Sequence, residues 1–158
     1  MARFMRKGIT RFYFVPTIAS ATLVPTTAEV TAGTRLDTQL ADVNGFRYSN
    51  NPINVPDMSS TFVANIPGED SVEASNLTFY EDKTTNAIKT AQPKATTGYI
   101  VIFYSGIAGA SPAIGDKADV WPIQVASVGR AYTAGNEAAQ YQIIYAPTAA
   151  PGEEKVLT

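Results

Sequence analysis

The sequence predicts a mainly β, antiparallel fold with one or two short flanking helices, and three runs of residues carry this prediction. Residues 99–104 are β-branched or aromatic at every position, which is typical of a central strand buried on both faces. From residue 139 to 145, apolar side chains alternate with others, as in a half-buried antiparallel strand. Residues 118–128 form a third strand-like run, in which Pro122 indicates an edge or a bulge.

Residues 1–9 are predicted to form an extended arm, because this segment is basic and contains no acidic residue. Such an arm suits docking on a neighbouring molecule, and a frayed terminus is the alternative interpretation. The candidate interface residues in it are Arg3, Phe4, Arg6 and Lys7. A first strand is predicted over residues 10–15, stopped by Pro16, and residues 19–24 are expected to continue the sheet.

A short helix or helical turn is predicted after Thr34, which has the side chain of a helix cap. Leu36, Leu40 and Val43 follow it at helical spacing, and Asn44-Gly45 ends the pattern. The apolar stripe is typical of core packing rather than of a binding site.

Residues 48–68 are predicted to form a long loop or a flexible hairpin, because Ser, Asn, Asp and three prolines dominate the segment. Loops of this length in compact domains are functional or disordered, and apolar residues within one are better explained by a partner that covers them. We therefore expect an assembly loop, with disorder as the alternative. Its candidate interface residues are Tyr48, Ile53, Val55, Met58 and Phe62.

The second half of the chain continues the β pattern. Residues 77–80 read as a strand, and residues 84–89 as a second short helix that Thr84 or Thr85 could cap. A loop is expected over residues 106–115. Residues 148–158 are small, charged or proline-containing, so we expect a C-terminal tail that cannot support a core alone. The predicted β-domain therefore spans residues 10–147.

Composition excludes most catalytic and metal-binding functions. The 158 residues include no cysteine and no histidine, which removes Ser-His-Asp and Cys-His catalysis and the usual zinc ligands. We therefore expect a protein that is not an enzyme and that binds no cofactor and no metal. Charged residues make up only 16% of the chain, which indicates surface buried in an assembly.

The composition also argues against nucleic-acid and membrane partners. Twelve basic against fourteen acidic residues give a formal charge of −2, far from the basic footprint of a phosphate-binding surface. No run approaches the ~20 apolar residues of a membrane helix, so we expect no membrane insertion. Residues 12–24 imitate a signal peptide, but Arg11, Pro16 and several hydroxyl residues interrupt the stretch, which looks more like a strand.

Carboxylates cluster at Glu69, Asp70 and Glu73, followed by Glu81 and Asp82. Their spacing matches no calcium loop, and carboxylates beside loops are more often solvated than catalytic. This cluster therefore indicates a solvated surface.

The C-terminal half resembles the major tail tube proteins of long-tailed, siphovirus-like bacteriophages in the order and spacing of its segments. Asp119-Val120-Trp121 opens the resemblance, residues 125–131 carry the Val-Ala-Ser-Val-Gly strand and turn, and Glu137 precedes a Tyr/Ile strand that ends at Pro147. Upstream, the strand 77–80, the helix near 86–89 and the strand 99–103 fall in the family's order. The resemblance covers residues 73–147 well and the first third loosely.

That resemblance implies an antiparallel β-sandwich or half-barrel, six copies in a ring, and rings stacked into a tube for DNA ejection. It implies a virion protein of the phage tail, made in the bacterial host cytoplasm, that meets other tail proteins at the tube ends. A tube for DNA should not bind phosphate, so polar or acidic side chains should line the lumen. The candidates are Glu69, Asp70, Glu73, Gln140 and Gln142.

Two other classes of function remain alternatives. A secreted or surface β-sandwich binding module would explain the signal-like N-terminus and the Thr-rich strands. Another phage head or tail structural protein, such as a capsid decoration or head–tail joining protein, would share the expected fold.

Overall fold

The computed structural model describes residues 3–158 and has one large antiparallel sheet with two small ladders beside it. The helices are α1 (Thr27–Ala32) and α2 (Ala87–Ala91). The strands are β1 (Arg11–Val15), β2 (Thr34–Arg35), β3 (Leu40–Asn44), β4 (Tyr48–Asn50), β5 (Ile53–Val55), β6 (Ala64–Ile66), β7 (Asp70–Val72), β8 (Ser75–Tyr80), β9 (Thr97–Phe103), β10 (Lys117–Ala131), β11 (Gln140–Pro147) and β12 (Gly152–Val156).

The large sheet runs in the order β2-β1-β9-β10-β11-β8-β3, with β12 also paired to β10. The mainly β, antiparallel prediction is therefore confirmed. Strand β9 lies between β1 and β10, as its unbroken β-branched and aromatic sequence predicted. The predicted strands at residues 10–15, 77–80, 118–128 and 139–145 correspond to β1, β8, β10 and β11.

Alternating side chains place a hydrophobic core on each face of the sheet. The larger of the two, called the main core, holds the inward-facing residues of β8 and β11 together with one face of β1, β9 and β10. The second core covers the opposite face of β1 and β9, where Val30 of α1, Ile18 and Leu157 pack against it. Phe14 and Val15 are neighbours in β1 and both are 1% exposed, in different cores. This double burial explains why residues 12–15 of β1 and 99–103 of β9 are all apolar or aromatic.

The helix predicted after Thr34 is wrong. Thr34 lies in β2, and Leu40 and Val43 lie in β3, which pairs with β8. Leu36 is fully buried between the two strands. Pairing with distant strands outweighs the local helical spacing, which covers only three apolar residues.

The first helix lies earlier, at α1, in the segment between Pro25 and Thr34. Thr26 caps it, because its side chain accepts from the Glu29 N–H while the Glu29 carboxylate accepts from the Thr26 N–H. These two residues form the Thr-x-x-Glu capping box that is visible in the sequence. The expectation that residues 19–24 continue the sheet is wrong, since no strand forms there.

The second helix is confirmed, but the predicted cap is wrong. Helix α2 begins after Asn86, whose side chain makes no capping bond. Thr84 and Thr85 instead donate to the Asp82 carboxylate, at 2.7 Å for the Thr84 N–H. This turn lowers the pKa of Asp82, chiefly through the Thr84 N–H.

Pro122 does not lie on an edge strand. It is buried where the outer partner of β10 changes from β12 to β11. The Pro122 carbonyl accepts from the Thr148 N–H at this change of partner. Because N–H and C=O of one residue point to the same side of a strand, the missing N–H also faces the gap rather than β9. The register of β10 shifts at two places on either side of Pro122, between Ala118 and Val120 against β12 and between Val125 and Ser127 against β11.

The C-terminal segment is more than a tail. Residues 152–156 form β12 against the start of β10, and Leu157 after it is 1% exposed in the second core. The Thr27 N–H donates to the Thr158 carbonyl, which ties the chain end to α1. The segment is stable because it completes an existing sheet and core, which its own composition could not reveal.

Candidate assembly surfaces

One half of the large sheet has an exposed polar face. On β11, Tyr141, Ile143 and Tyr145 point into the core, so Gln140 and Gln142 lie on the opposite face. The register places Asn76 and Thr78 of β8 on that same face, and the Gln142 Nε2 donates to the Asn76 Oδ1 at 3.1 Å. The two predicted lumen residues on β11 therefore lie together on a surface of amides and hydroxyls that also includes the partly buried Ile144.

This polar face contains no basic side chain within the described residues. The register adds Ser127, Gly129 and Ala131 of β10 on one side, and Asp42 and Asn44 of β3 on the other. Phosphate binding depends on lysine and arginine, so a polyanion finds no counter-charge here. The face is neutral to acidic.

Two strand edges bound this polar face. Strand β9 pairs with β10 only from Asp119 to Gln124. Beyond Val125, β10 pairs with β11 on one side, and residues 126–131 have no strand on the other within residues 3–158. Strand β3 ends the sheet at the opposite side. Unpaired edges of this kind are templates for pairing with another chain.

Residues 48–72 form a projecting β-hairpin, the second of the two forms that the sequence predicted for the loop. Its inner ladder pairs β4 with β7 and its outer ladder pairs β5 with β6. All residues from 51 to 67 are exposed. The predicted interface residues follow the hairpin outwards, with exposures of 39% at Tyr48, 52% at Ile53, 44% at Val55, 105% at Met58 and 76% at Phe62.

The base of the hairpin is fixed to the core. Gly45 has φ +86°, and a Cβ there would lie 2.7 Å from the Cα and Oγ of Ser75. The next residue, Phe46, donates its N–H to the Ser75 Oγ at 2.8 Å. Its ring packs edge-on against Trp121 at 5.7 Å and lies 6.2 Å from Tyr145. The hairpin therefore leaves the domain in a defined direction.

The acidic candidates lie on the hairpin or directly after it, and not on the polar face. Asp70 is in β7, where the Asn50 amide and the Tyr48 hydroxyl donate to its carboxylate and lower its pKa. Glu69 and Glu73 flank that strand and are exposed. The structure thus separates the five lumen candidates into two glutamines on the sheet, two carboxylates on the hairpin and Glu73 directly after it.

The N-terminal arm is exposed, as expected. Residues 3–9 form no helix or strand; Arg3, Arg6 and Lys7 are exposed, and Phe4 is 54% exposed. The Arg6 carbonyl accepts from the N–H groups of Ile9 and Thr10, which turns the arm into β1. The arm therefore presents cations and an aromatic ring to its surroundings.

Sequence reasoning did not identify two side chains with buried polar groups, those of Gln92 and Trp121. The Tyr145 hydroxyl donates to the Gln92 Oε1 at 2.6 Å, and burial raises the pKa of Tyr145 far above its ordinary value. Trp121 is 6% exposed, and its indole N–H has no acceptor within residues 3–158. No local pattern marks Gln92 as buried, whereas a lone tryptophan in a strand was a visible signal.

Among the described residues, no three carboxylates lie close enough together to hold a metal ion. Neither helix in residues 3–158 has the length and apolarity needed to cross a membrane.

Comparison with known proteins gives one family and several related folds. A family model described as phage tail tube protein matches residues 1–158. A chain of the anti-feeding prophage baseplate, a cryo-EM structure with 6-fold symmetrisation, has a TM-score of 0.64 at 6% identity, over 94% of this chain and 95% of that one. A chain of the sheath–tube complex of an extracellular contractile injection system, PVC, in its extended state has a TM-score of 0.51 at 15% identity, over 87% and 82%. No curated protein sequence matches.

Proposed function

The chain belongs to the phage tail tube protein family, a structural component of the virion tail, and we propose that six copies form rings that stack into a hollow conduit for DNA ejection. The observation that carries this proposal is the polar sheet face, free of basic side chains and bounded by two unpaired strand edges. A tube needs both a surface that does not hold DNA and edges that join subunits.

The two edges support ring formation. Residues 126–131 of β10 in one copy would pair with β3 of the next, which extends the sheet from subunit to subunit. Such a heterologous contact closes when the rotation per copy divides a full turn. Closure also removes the exposed edges that would otherwise promote aggregation. The 6-fold symmetrisation of the baseplate that contains a similar chain supports six copies.

Ring closure in this way would direct the polar face inwards. Gln140 and Gln142 would line the lumen, while the core on the other face of β8 and β11, with α2 packed on it through Ile88, would lie towards the outside. Amides without neighbouring cations exchange hydrogen bonds with water and hold no phosphate, so DNA can pass without specific binding.

The hairpin and the basic arm would then join successive rings. Their exposed apolar and cationic side chains are not part of the two sheet edges and need another partner. At the tube ends the same surfaces would meet other tail proteins. The function needs no catalysis and no cofactor, and the protein would be made in the host cytoplasm before it enters the virion.

The secreted binding module is disfavoured by the place of the signal-like stretch. Residues 12–15 belong to β1, and Phe14 is buried against the main core. Removal of this stretch as a signal peptide would take β1 out of the sheet and leave β9 with an open edge.

Negative-stain electron microscopy of the purified protein at high concentration tests the proposal. We expect rings or tubes with a central hole, and a persistent monomer would contradict the proposal. Orientation can be tested with Gln142→Cys and Thr90→Cys, each labelled with a small gold cluster; Thr90 is exposed on α2. Labels at position 142 should fall in the hole, and labels on α2 should fall on the outer surface.

A further inference from the structure

A cleft of about 1120 Å³ lies at the base of the hairpin. The N-terminal arm and the start of β1 form one wall, and β3 with residues 45–48 forms another. Phe46 and Trp121 line it together with Phe12, Leu40 and Ile102, so part of its surface is apolar. This cleft has the size of a binding site for several side chains.

Trp121 indicates that the cleft takes a partner. Trp121 is only 6% exposed, yet its indole N–H has no acceptor among residues 3–158. A buried donor without an acceptor costs about 1–3 kcal/mol. Tryptophans with one apolar side and one unsatisfied polar atom are typical of interface centres. The indole nitrogen is covered by protein atoms, so an occupant that brings an oxygen atom to this position must also displace the atoms that cover it.

The outer half of the hairpin has complementary properties. Met58 and Phe62 at its end are almost fully exposed, and neither touches the domain from which the hairpin projects. Isolated two-stranded hairpins are marginally stable in water, so this one gains from a surface that covers it. Asp57 and the hydroxyls of Ser59 and Ser60 at the turn offer oxygen acceptors.

Charge does not oppose this pairing. Asp57 is the only ionisable residue from 51 to 66. The cleft is lined by four basic and four acidic side chains, namely Arg6, Lys7, Arg11 and Arg47 with Asp37, Asp42, Asp119 and Glu153. The contact between tip and cleft would therefore rest on apolar packing and hydrogen bonds.

The hairpin cannot fill the cleft of its own subunit. Phe46 and Tyr48 line the cleft, and the hairpin extends from there. At about 3.3 Å per residue, the ten residues from Tyr48 to Met58 carry the tip roughly 30 Å away. A tip that is remote from its own cleft can enter only the cleft of another copy, and this relation repeats from copy to copy.

We propose that the hairpin tip of one subunit, with Met58 and Phe62, occupies the cleft over Trp121 in a second copy of this chain. This inference rests on the proposed tube, since it names the surface that receives the hairpin between subunits. Truncation of a central aromatic anchor, Phe62→Ala, should raise the concentration needed for assembly roughly 30-fold.

Cysteine crosslinking provides the direct test, because the chain has no native cysteine. The variant Met58→Cys with Lys7→Cys places one thiol at the tip and one at the cleft. Met58→Cys with Lys94→Cys is the matched control, since Lys94 is also exposed and lies outside the cleft. After oxidation of assembled protein, the first pair should give a ladder of covalent multimers and the control should not.

The outcomes separate this inference from the proposed function. Tubes in electron micrographs with no ladder from the tip–cleft pair, or with an equal ladder from the control, would overturn the inference alone. Protein that stays monomeric at all concentrations would overturn the proposed function, and the inference with it. Trp121 is the only tryptophan, so its emission should shift to shorter wavelength on assembly, and the same shift in Phe62→Ala assemblies would also contradict the inference.

Discussion

Replacement of the hairpin should separate folding from assembly. We consider a variant in which residues 49–71 are replaced by Asn-Gly, joined between Tyr48 and Val72. These two residues are paired across β4 and β7, so a two-residue turn spans them without strain. Val72 is kept because it packs against the main core.

The expected change in the free energy of unfolding is small and favourable. All residues from 51 to 67 are exposed, so their removal uncovers almost no buried apolar area. The loop between Tyr48 and Val72 is halved in length between three and four times. Each halving lowers the entropic cost of loop closure by about 0.6 kcal/mol, which gives a gain of about 2 kcal/mol. The variant should therefore unfold cooperatively in urea at a midpoint equal to or above that of the full chain.

The same variant should fail to form tubes, because the apolar and acidic groups of the hairpin are absent. Sedimentation velocity and negative-stain microscopy at matched concentrations measure this. The control is the double variant Met58→Ser with Phe62→Ser in the full chain. It keeps the hairpin and removes only the two large apolar side chains near its end. An unfolded deletion variant, or one that forms tubes of normal length, would refute the reasoning.

Three further substitutions test the fold that supports these surfaces. Gly45→Ala should lower the free energy of unfolding by about 2–4 kcal/mol in thermal denaturation, because φ is +86° and the new Cβ would meet Ser75. Tyr145→Phe should cost about 1–3 kcal/mol in urea unfolding, because it leaves the buried Gln92 Oε1 without a donor. Glu29→Ala should cost about 1 kcal/mol at pH 7, because it removes the capping box. The pKa of Glu29 is lowered by N–H donors in the folded state, so its contribution is present above about pH 4.3 and lost as the pH falls through the folded pKa.

Each of these substitutions has a matched control elsewhere in the chain. Gly115→Ala has a similar φ of +95° but open space around the new Cβ, so only the backbone strain remains. Tyr80→Phe removes a hydroxyl from an exposed ring, and Glu137→Ala removes an exposed carboxylate. Equal losses in test and control would contradict the corresponding steric, hydrogen-bond or capping argument. A Glu29 effect that persists unchanged at pH 2 would contradict its assignment to the carboxylate.

The five lumen candidates show which side-chain positions a local sequence pattern can predict. Alternation over residues 139–145 correctly placed Gln140 and Gln142 on the face opposite the core. The carboxylates Glu69, Asp70 and Glu73 had no such pattern, and the structure places them on the hairpin or directly after it. That the amide face is one continuous surface with β8, β10 and β3 depends on pairing between distant segments.

By itself, the sequence determined the strands with a clear side-chain pattern, the absence of any chemistry that needs histidine or cysteine, and the resemblance to the family that the comparisons support. Only the tertiary structure decided that residues 34–35 and 40–44 form strands, that Pro122 lies inside the sheet and that the C-terminal segment forms β12. The physical reason is that side-chain periodicity reports which faces of a segment are buried. It does not report which strand lies beside that segment, and edge, partner and cleft are all decided by that neighbour.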